Sequence, residues 1–129
     1  MGWAEESGSL VVSSGSYVVY QGWGVAGFED LDVWKRAVEL SAQVYLQLAQ
    51  SRDFGFKDQI TWSGLSIPSN IAEGMERSTP ADQYKFLDYA RASCGEFRTQ
   101  SIVGQKAGFV TNDIAQGWIN GLIRSIRDR

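Results

Sequence analysis

Few side chains in this sequence have the type and spacing to do chemistry. Asn70 and Glu73 lie three residues apart, and Glu96 and Gln100 four apart, spacings that place each pair on one face of a helix. Two such faces meeting would form a polar cluster between helices. A carboxylate-bridged metal centre in a helix bundle draws on Glu-x-x-His pairs, and the chain has no histidine. The four residues are therefore expected to hydrogen-bond with one another, fixing helix register or a subunit contact. The lack of histidine also removes the commonest general base and zinc ligand. Cys94 is the sole cysteine. With no disulfide partner and no base to activate it, it is expected to be a small apolar core residue. No Gly-x-x-x-x-Gly-Lys-Ser/Thr loop occurs, and Gly22-Trp23-Gly24 is too short to cradle a phosphate. No catalytic, cofactor-binding or metal-binding set can be assembled, so the expectation is a protein that is not an enzyme and has no identified small-molecule substrate.

Two groups of residues point to binding instead. Arg77, Lys85, Arg91, Arg98 and Lys106, with the C-terminal Arg124, Arg127 and Arg129, are candidate nucleic-acid contacts, although Asp88 and Glu96 interleave with them as on a solvated helix face. Trp62 and Trp118 are candidate contacts between subunits. Trp62 lies two positions from Gly64, roughly opposite it around a helix, and so should point away from the core.

The elements that must position these residues are helices. Asp30 or Asp32 can cap a first helix whose apolar stripe is Leu31, Trp34, Ala37, Val38, Ser41, Val44, Tyr45 and Leu48, ending near Gln50. Ser51 to Gly55 breaks it. A second helix runs from about Phe56 to Arg77, with Ile60, Gly64, Ile67, Ile71 and Gly74 or Met75 on its stripe and Pro68 inside it. An interior proline lacks the N–H for the carbonyl four residues back, here Gly64, and bends the helix. Pro68, Asn70, Glu73 and Gly74 thus form a structural motif, a kink that seats the helix on its neighbours. Thr79 as N-cap, Pro80 at the first helical position and Asp82 three residues past the cap start a third helix. Its inner face is Leu87, Ala90, Cys94, Phe97, Ser101 and Gly104, and Gly108 is its stop. Thr111 or Asn112 caps a fourth helix with the stripe Ala115, Trp118, Ile119, Leu122 and Ile126. Short connections between four helices predict an all-α, antiparallel up-down-up-down four-helix bundle.

Residues 1–27 differ from this texture. They hold glycine at 2, 8, 15, 22, 24 and 27 and many serines. Leu10 to Val12 and Tyr17 to Tyr20 are β-prone runs around Ser13-Ser14-Gly15-Ser16, a candidate hairpin loop. The expected organisation is an N-terminal extension over 1–27, flexible or hairpin-like, and the bundle over 28–129. An isolated hairpin is marginal in water, so this one is either a mobile arm or a segment that pairs or packs against another subunit, or a non-native leader. Glu5 and Glu6 are its only charges, leaving 12 basic against 13 acidic side chains in 28–129. A nearly neutral bundle lacks the positive balance that phosphate backbones select. At 129 residues and 43% hydrophobic composition, the chain can bury a core without metal or disulfide support. No apolar run approaches the ~18 residues of a membrane span, no secretory signal is visible, and a lone cysteine fits the reducing cytoplasm.

Three separated motifs resemble one known family: Phe28-Glu29-Asp30-Leu31-Asp32-Val33-Trp34, Ser66 to Gly74 with Arg77 following, and Phe86-Leu87 leading to Glu96-Phe97-Arg98-Thr99-Gln100. Over about residues 28–125 the chain is similar to proteins encoded in intervening sequences of bacterial 23S ribosomal RNA genes. The resemblance implies a four-helix bundle that assembles as a ring-like homopentamer. A related branch, the accessory variability determinants of diversity-generating retroelements, is basic and implies nucleic-acid binding as the alternative. Where many family members carry basic residues before the Ile-Pro-Ser-Asn motif, this chain has Thr61-Trp62-Ser63-Gly64.

Overall fold

The helix starts and stops were the most local of these signals, and the computed structural model, which describes residues 9–12, 18–21 and 27–127, places the start and stop of the third helix and the start of the fourth on the expected residues. The third helix, α3, spans Pro80–Ala107, with the Thr79 hydroxyl oxygen accepting from the Asp82 N–H at 3.3 Å and proline in its first turn. Gly108 ends it at φ 83°, a left-handed geometry that favours glycine. The fourth helix, α4, spans Asn112–Arg127 behind Thr111, whose side chain accepts from the Ile114 N–H. The second, α2, runs Phe54–Met75 and contains Pro68. The first, α1, runs Asp32–Gln47 after a single 3-10 turn over Phe28–Asp30.

Neither Asp30 nor Asp32 caps α1. Leu31 occupies the cap position without a side-chain hydrogen bond, because the 3-10 turn already directs the chain into the helix through Leu31 N–H to Phe28 O. Leu48 closes the other end, shortening α1 by a turn against the expected Gln50, and α2 begins two residues earlier than Phe56. Among the described residues before the bundle, β1 (Ser9–Val12) pairs antiparallel with β2 (Val18–Gln21), Leu10 opposite Tyr20 and Val12 opposite Val18. The strands fall where β-prone runs were expected; the candidate loop Ser13 to Ser16 lies outside the described residues.

Each helix packs on its chain neighbours, and α4 closes back on α1. The pairing is antiparallel: Phe56 meets Gly104 and Gly74 meets Gln83 and Phe86 along α2–α3, while Gly121 faces Leu40 and Trp118 bonds Gln47 along α1–α4. The molecule is an all-α four-helix bundle. Its core holds Ala37, Leu40, Val44 and Leu48 of α1, Ile60, Ile67 and Ile71 of α2, Ala90 and Phe97 of α3, and Ala115, Trp118 and Leu122 of α4, joined by Val110. Glycines let α2 and α3 approach closely. A Cβ on Gly64 would stand 3.3 Å from the Phe97 ring, and one on Gly104 would overlap the Phe56 ring.

Two expectations about the stripes, and the expectation that Trp118 is a contact between subunits, are corrected. Tyr45 and Ile126 are exposed, and Leu40 and Ser125 are buried, while Ala37, Ser41, Val44, Leu48, Ala115, Trp118 and Leu122 stay inside, so each buried face is turned slightly toward Leu40 or Ser125. Trp118 is not a surface residue. It is 1% exposed, packs 6.1 Å from the Phe97 ring and donates from Nε1 to Gln47 Oε1 at 2.6 Å. A large aromatic whose polar edge has an internal partner is more stable inside the bundle than at its edge.

Candidate functional site

The Pro68 motif is a run of side chains that return to their own helix. Pro68 is buried, and the hydroxyls and amide around it donate to backbone carbonyls one turn back: Thr61 to Lys57 O, Ser66 to Trp62 O and Asn70 Nδ2 to Ser66 O. Such bonds compete with the helical ladder and favour bending. Gly74 has no side chain because the backbone carbonyl of Gln83 and Cβ of Phe86 occupy that space at 3.2 Å. Glu73 is exposed and pairs with Arg77 at 2.7 Å, an exposed pair of little energetic weight. At Gly74 the motif lets the start of α3 lie against α2.

The anticipated meeting of Asn70 and Glu73 with Glu96 and Gln100 does not occur. Asn70 and Glu73 are engaged on α2, and Glu96 is exposed. Gln100 instead accepts from the Ser63 hydroxyl at 2.6 Å. Ser63, 1% exposed, carried no signal in the sequence beyond its place beside Gly64. Cys94 is half-buried against the core, and burial pushes its thiol up from 9.0 to about 11. A thiol so far from ionising at neutral pH is a poor nucleophile. Among the described residues no group of three or more His, Cys, Asp or Glu is placed to hold a metal ion, and no helix is long and apolar enough to cross a membrane.

The candidate basic residues divide. Arg77 is engaged by Glu73, and its guanidinium lies 4.4 Å above the Phe86 ring centre. The Lys85 ammonium stands 6.0 Å from the same ring. Arg91 and Arg98 are both exposed. They are seven residues apart and so share one face of α3, from which Lys85 is turned away by roughly a third of a revolution.

What α2 presents outward is apolar. Trp62 is 69% exposed and Phe54 63%, with Leu65 also exposed. With Asp58 and Ser69, these residues recur every three or four positions and form a second stripe opposite the buried one. The sequence reading found Trp62 alone, although the spacing of Phe54 and Leu65 was there to be counted. Burying an aromatic of this kind contributes roughly 1.5–3 kcal/mol.

On another side, α1 and α4 leave a groove of about 490 Å³, lined among others by Leu40, Gln47, Ile114, Gly117 and Trp118, with Arg36, Glu39, Asp113 and Arg124 around it. The two α4 glycines differ. A Cβ on Gly121 would meet Leu40 at 3.2 Å, whereas one on Gly117 would meet nothing within 4 Å. Glycine inside a helix costs about 1 kcal/mol relative to alanine, and at Gly117 no packing within the chain offsets that cost.

An antiparallel four-helix bundle with a back-bonded α2 is the class that the geometry defines. The sequence profile of the 23S rRNA-intervening sequence protein family matches residues 29–127. The chain belongs to that family. The fold is shared with a crystal structure of a protein of unknown function from the S23 ribosomal protein family of Bacteroides thetaiotaomicron VPI-5482, at TM-score 0.67 and 20% identity over 72% of this chain and 90% of that one. No curated protein matches the chain.

Proposed function

We propose that this is a non-enzymatic, self-associating four-helix-bundle protein, a scaffold or interaction module that assembles with copies of itself, as a homopentamer in the form that the family resemblance implies, in a reducing compartment such as the cytoplasm. The observation that carries the reading is the outward stripe Phe54, Trp62 and Leu65 on α2. Apolar residues grouped on one helix face mark interaction surfaces, and large aromatics supply most of the energy at such surfaces. Size-exclusion chromatography with light scattering on the full chain at two salt concentrations tests it. The expected mass is near five times 14.3 kDa, and Trp62→Ala, with its helical circular dichroism unchanged, lowers the assembled fraction. A monomeric wild-type chain at high micromolar concentration would sink the proposal.

A second reading, an accessory protein that binds RNA or DNA, is favoured by one observation: the exposed Arg91 and Arg98 share a face of α3. Its test is fluorescence anisotropy with single-stranded and duplex probes. Binding that weakens steeply with salt and is lost in Arg91→Ala/Arg98→Ala supports it; no binding at low salt rules it out.

A further inference from the structure

We infer that the groove between α1 and α4 receives the α2 ridge of a second copy, with Trp62 of one chain seated over Gly117 of the next. The inference rests on the self-association reading and names the two surfaces that would meet. Gly117 is an exposed glycine inside α4 with nothing within 4 Å of its missing side chain. The missing side chain lets another group come close to the backbone there. Gly121, one turn on, is explained within the chain by Leu40. Gly95 on α3 and Gly55 on α2 are as open, but neither lines the groove between α1 and α4. The cavity over Gly117, about 490 Å³, has the size to take an indole beside Ile114, between polar walls that include Arg36, Glu39, Gln47 and Arg124.

Charge sets the direction of docking. Asp58 is the ridge's only ionisable residue between Phe54 and Ser69, one turn before Trp62. The groove carries Arg124 two turns after Gly117 and Arg36 on α1, with Glu39 and Asp113 also on its walls. With Trp62 over Gly117, an incoming α2 antiparallel to α4 brings Asp58 towards Arg124, keeps it from Asp113, and sets Leu65 towards Ile114. The parallel orientation brings Asp58 to Asp113, and like charges facing each other are costly. Because ridge and groove lie on different helices, each chain gives one surface and accepts on the other. That contact is heterologous, the kind that closes into rings.

Mixing two variants tests it. Trp62→Ala removes the ridge and leaves the groove; Gly117→Leu fills the groove and leaves the ridge, and leucine favours the helix more than glycine does. Each variant alone is expected to be a folded monomer. An equimolar mixture is expected to form a one-to-one pair near twice 14.3 kDa, because only one productive contact remains. Arg124→Asp is expected to weaken assembly about tenfold or more, and adding Asp58→Arg to restore it. If wild type assembles and Trp62→Ala does not, but Gly117→Leu assembles like wild type, or if the mixture stays monomeric, the groove assignment is overturned while self-association stands. A monomeric wild type overturns both. Should Gly117→Leu lose its helical signal, the charge exchange decides alone: failure of Asp58→Arg to restore Arg124→Asp overturns the pairing.

Discussion

Ser63 and Gln100 meet in the seam between α2 and α3, the hydroxyl donating to the side-chain carbonyl at 2.6 Å, one residue before the glycine on which the Phe97 ring rests. A polar contact and an aromatic one therefore sit side by side in the same interface. The aromatic contact supplies burial. The hydrogen bond favours one register of the two helices, since sliding would break it and leave the Ser63 hydroxyl only the Ile60 carbonyl of its own helix at 3.2 Å.

Ser63→Ala should cost about 1 kcal/mol, with Gln100 left to find water or another donor. The same loss in a Gln100→Leu background should be smaller by about 0.5 kcal/mol or more. Urea melts of the two single variants and the double variant measure the coupling.

Gly104→Ala should destabilise the bundle by about 1–3 kcal/mol, because its Cβ would overlap the Phe56 ring. Phe56→Leu trims that ring and should recover part of the loss when the two are combined, although alone it is itself destabilising. Thermal denaturation of the three variants checks the sign of the coupling.

Trp118→Phe keeps a ring beside Phe97 but removes the Nε1 donor to Gln47, and should cost about 1 kcal/mol from the lost hydrogen bond plus a smaller packing loss. Trp118→Ala opens a cavity in the core and should cost about 3–5 kcal/mol. A surface role for Trp118 would leave denaturation nearly unchanged, so chemical melts discriminate.

Burial raises the Cys94 thiol from 9.0 to about 11. Between those values the folded chain keeps a proton that the unfolded chain releases, so stability falls as pH rises through that window. Below pH 9 the contribution is constant. Wild type should lose more stability than Cys94→Ala between pH 8 and 10.5, and iodoacetamide should modify native Cys94 far more slowly than the unfolded thiol.

The features legible in the sequence were those set by a residue and its near neighbours. Thr79-Pro80 and Gly108 bracket α3 because capping and left-handed geometry are local demands, and Ile60, Ile67 and Ile71 mark the buried face of α2 because its period is clear. The errors arose where partners come from far along the chain. Gln47 and Trp118 are 71 residues apart, and neither residue's spacing announces the other. Leu40 and Tyr45 are equally apolar in a stripe count, and only the position of α4 decides which is covered. The groove beside Gly117 needed both α1 and α4 in place before a helix glycine could be recognised as an opening.

The unequal helix lengths carry a last consequence. At 28 residues α3 is ~42 Å long, against ~24 Å for the 16 residues of α4. Since α4 turns back beside the C-terminal part of α3, the first ten or so residues of α3 extend past it and lean chiefly on the end of α2. The contacts there are partly polar: Gly74 under Gln83 and Phe86, an exposed Glu73–Arg77 pair whose guanidinium lies over the Phe86 ring, and the Gln83 amide, whose nitrogen donates to Arg77 O while its buried oxygen has no partner among the described residues. This end of α3, beyond the reach of α4, should exchange its amide hydrogens ahead of the four-helix body, fraying and re-forming while the core around Phe97 stays shut.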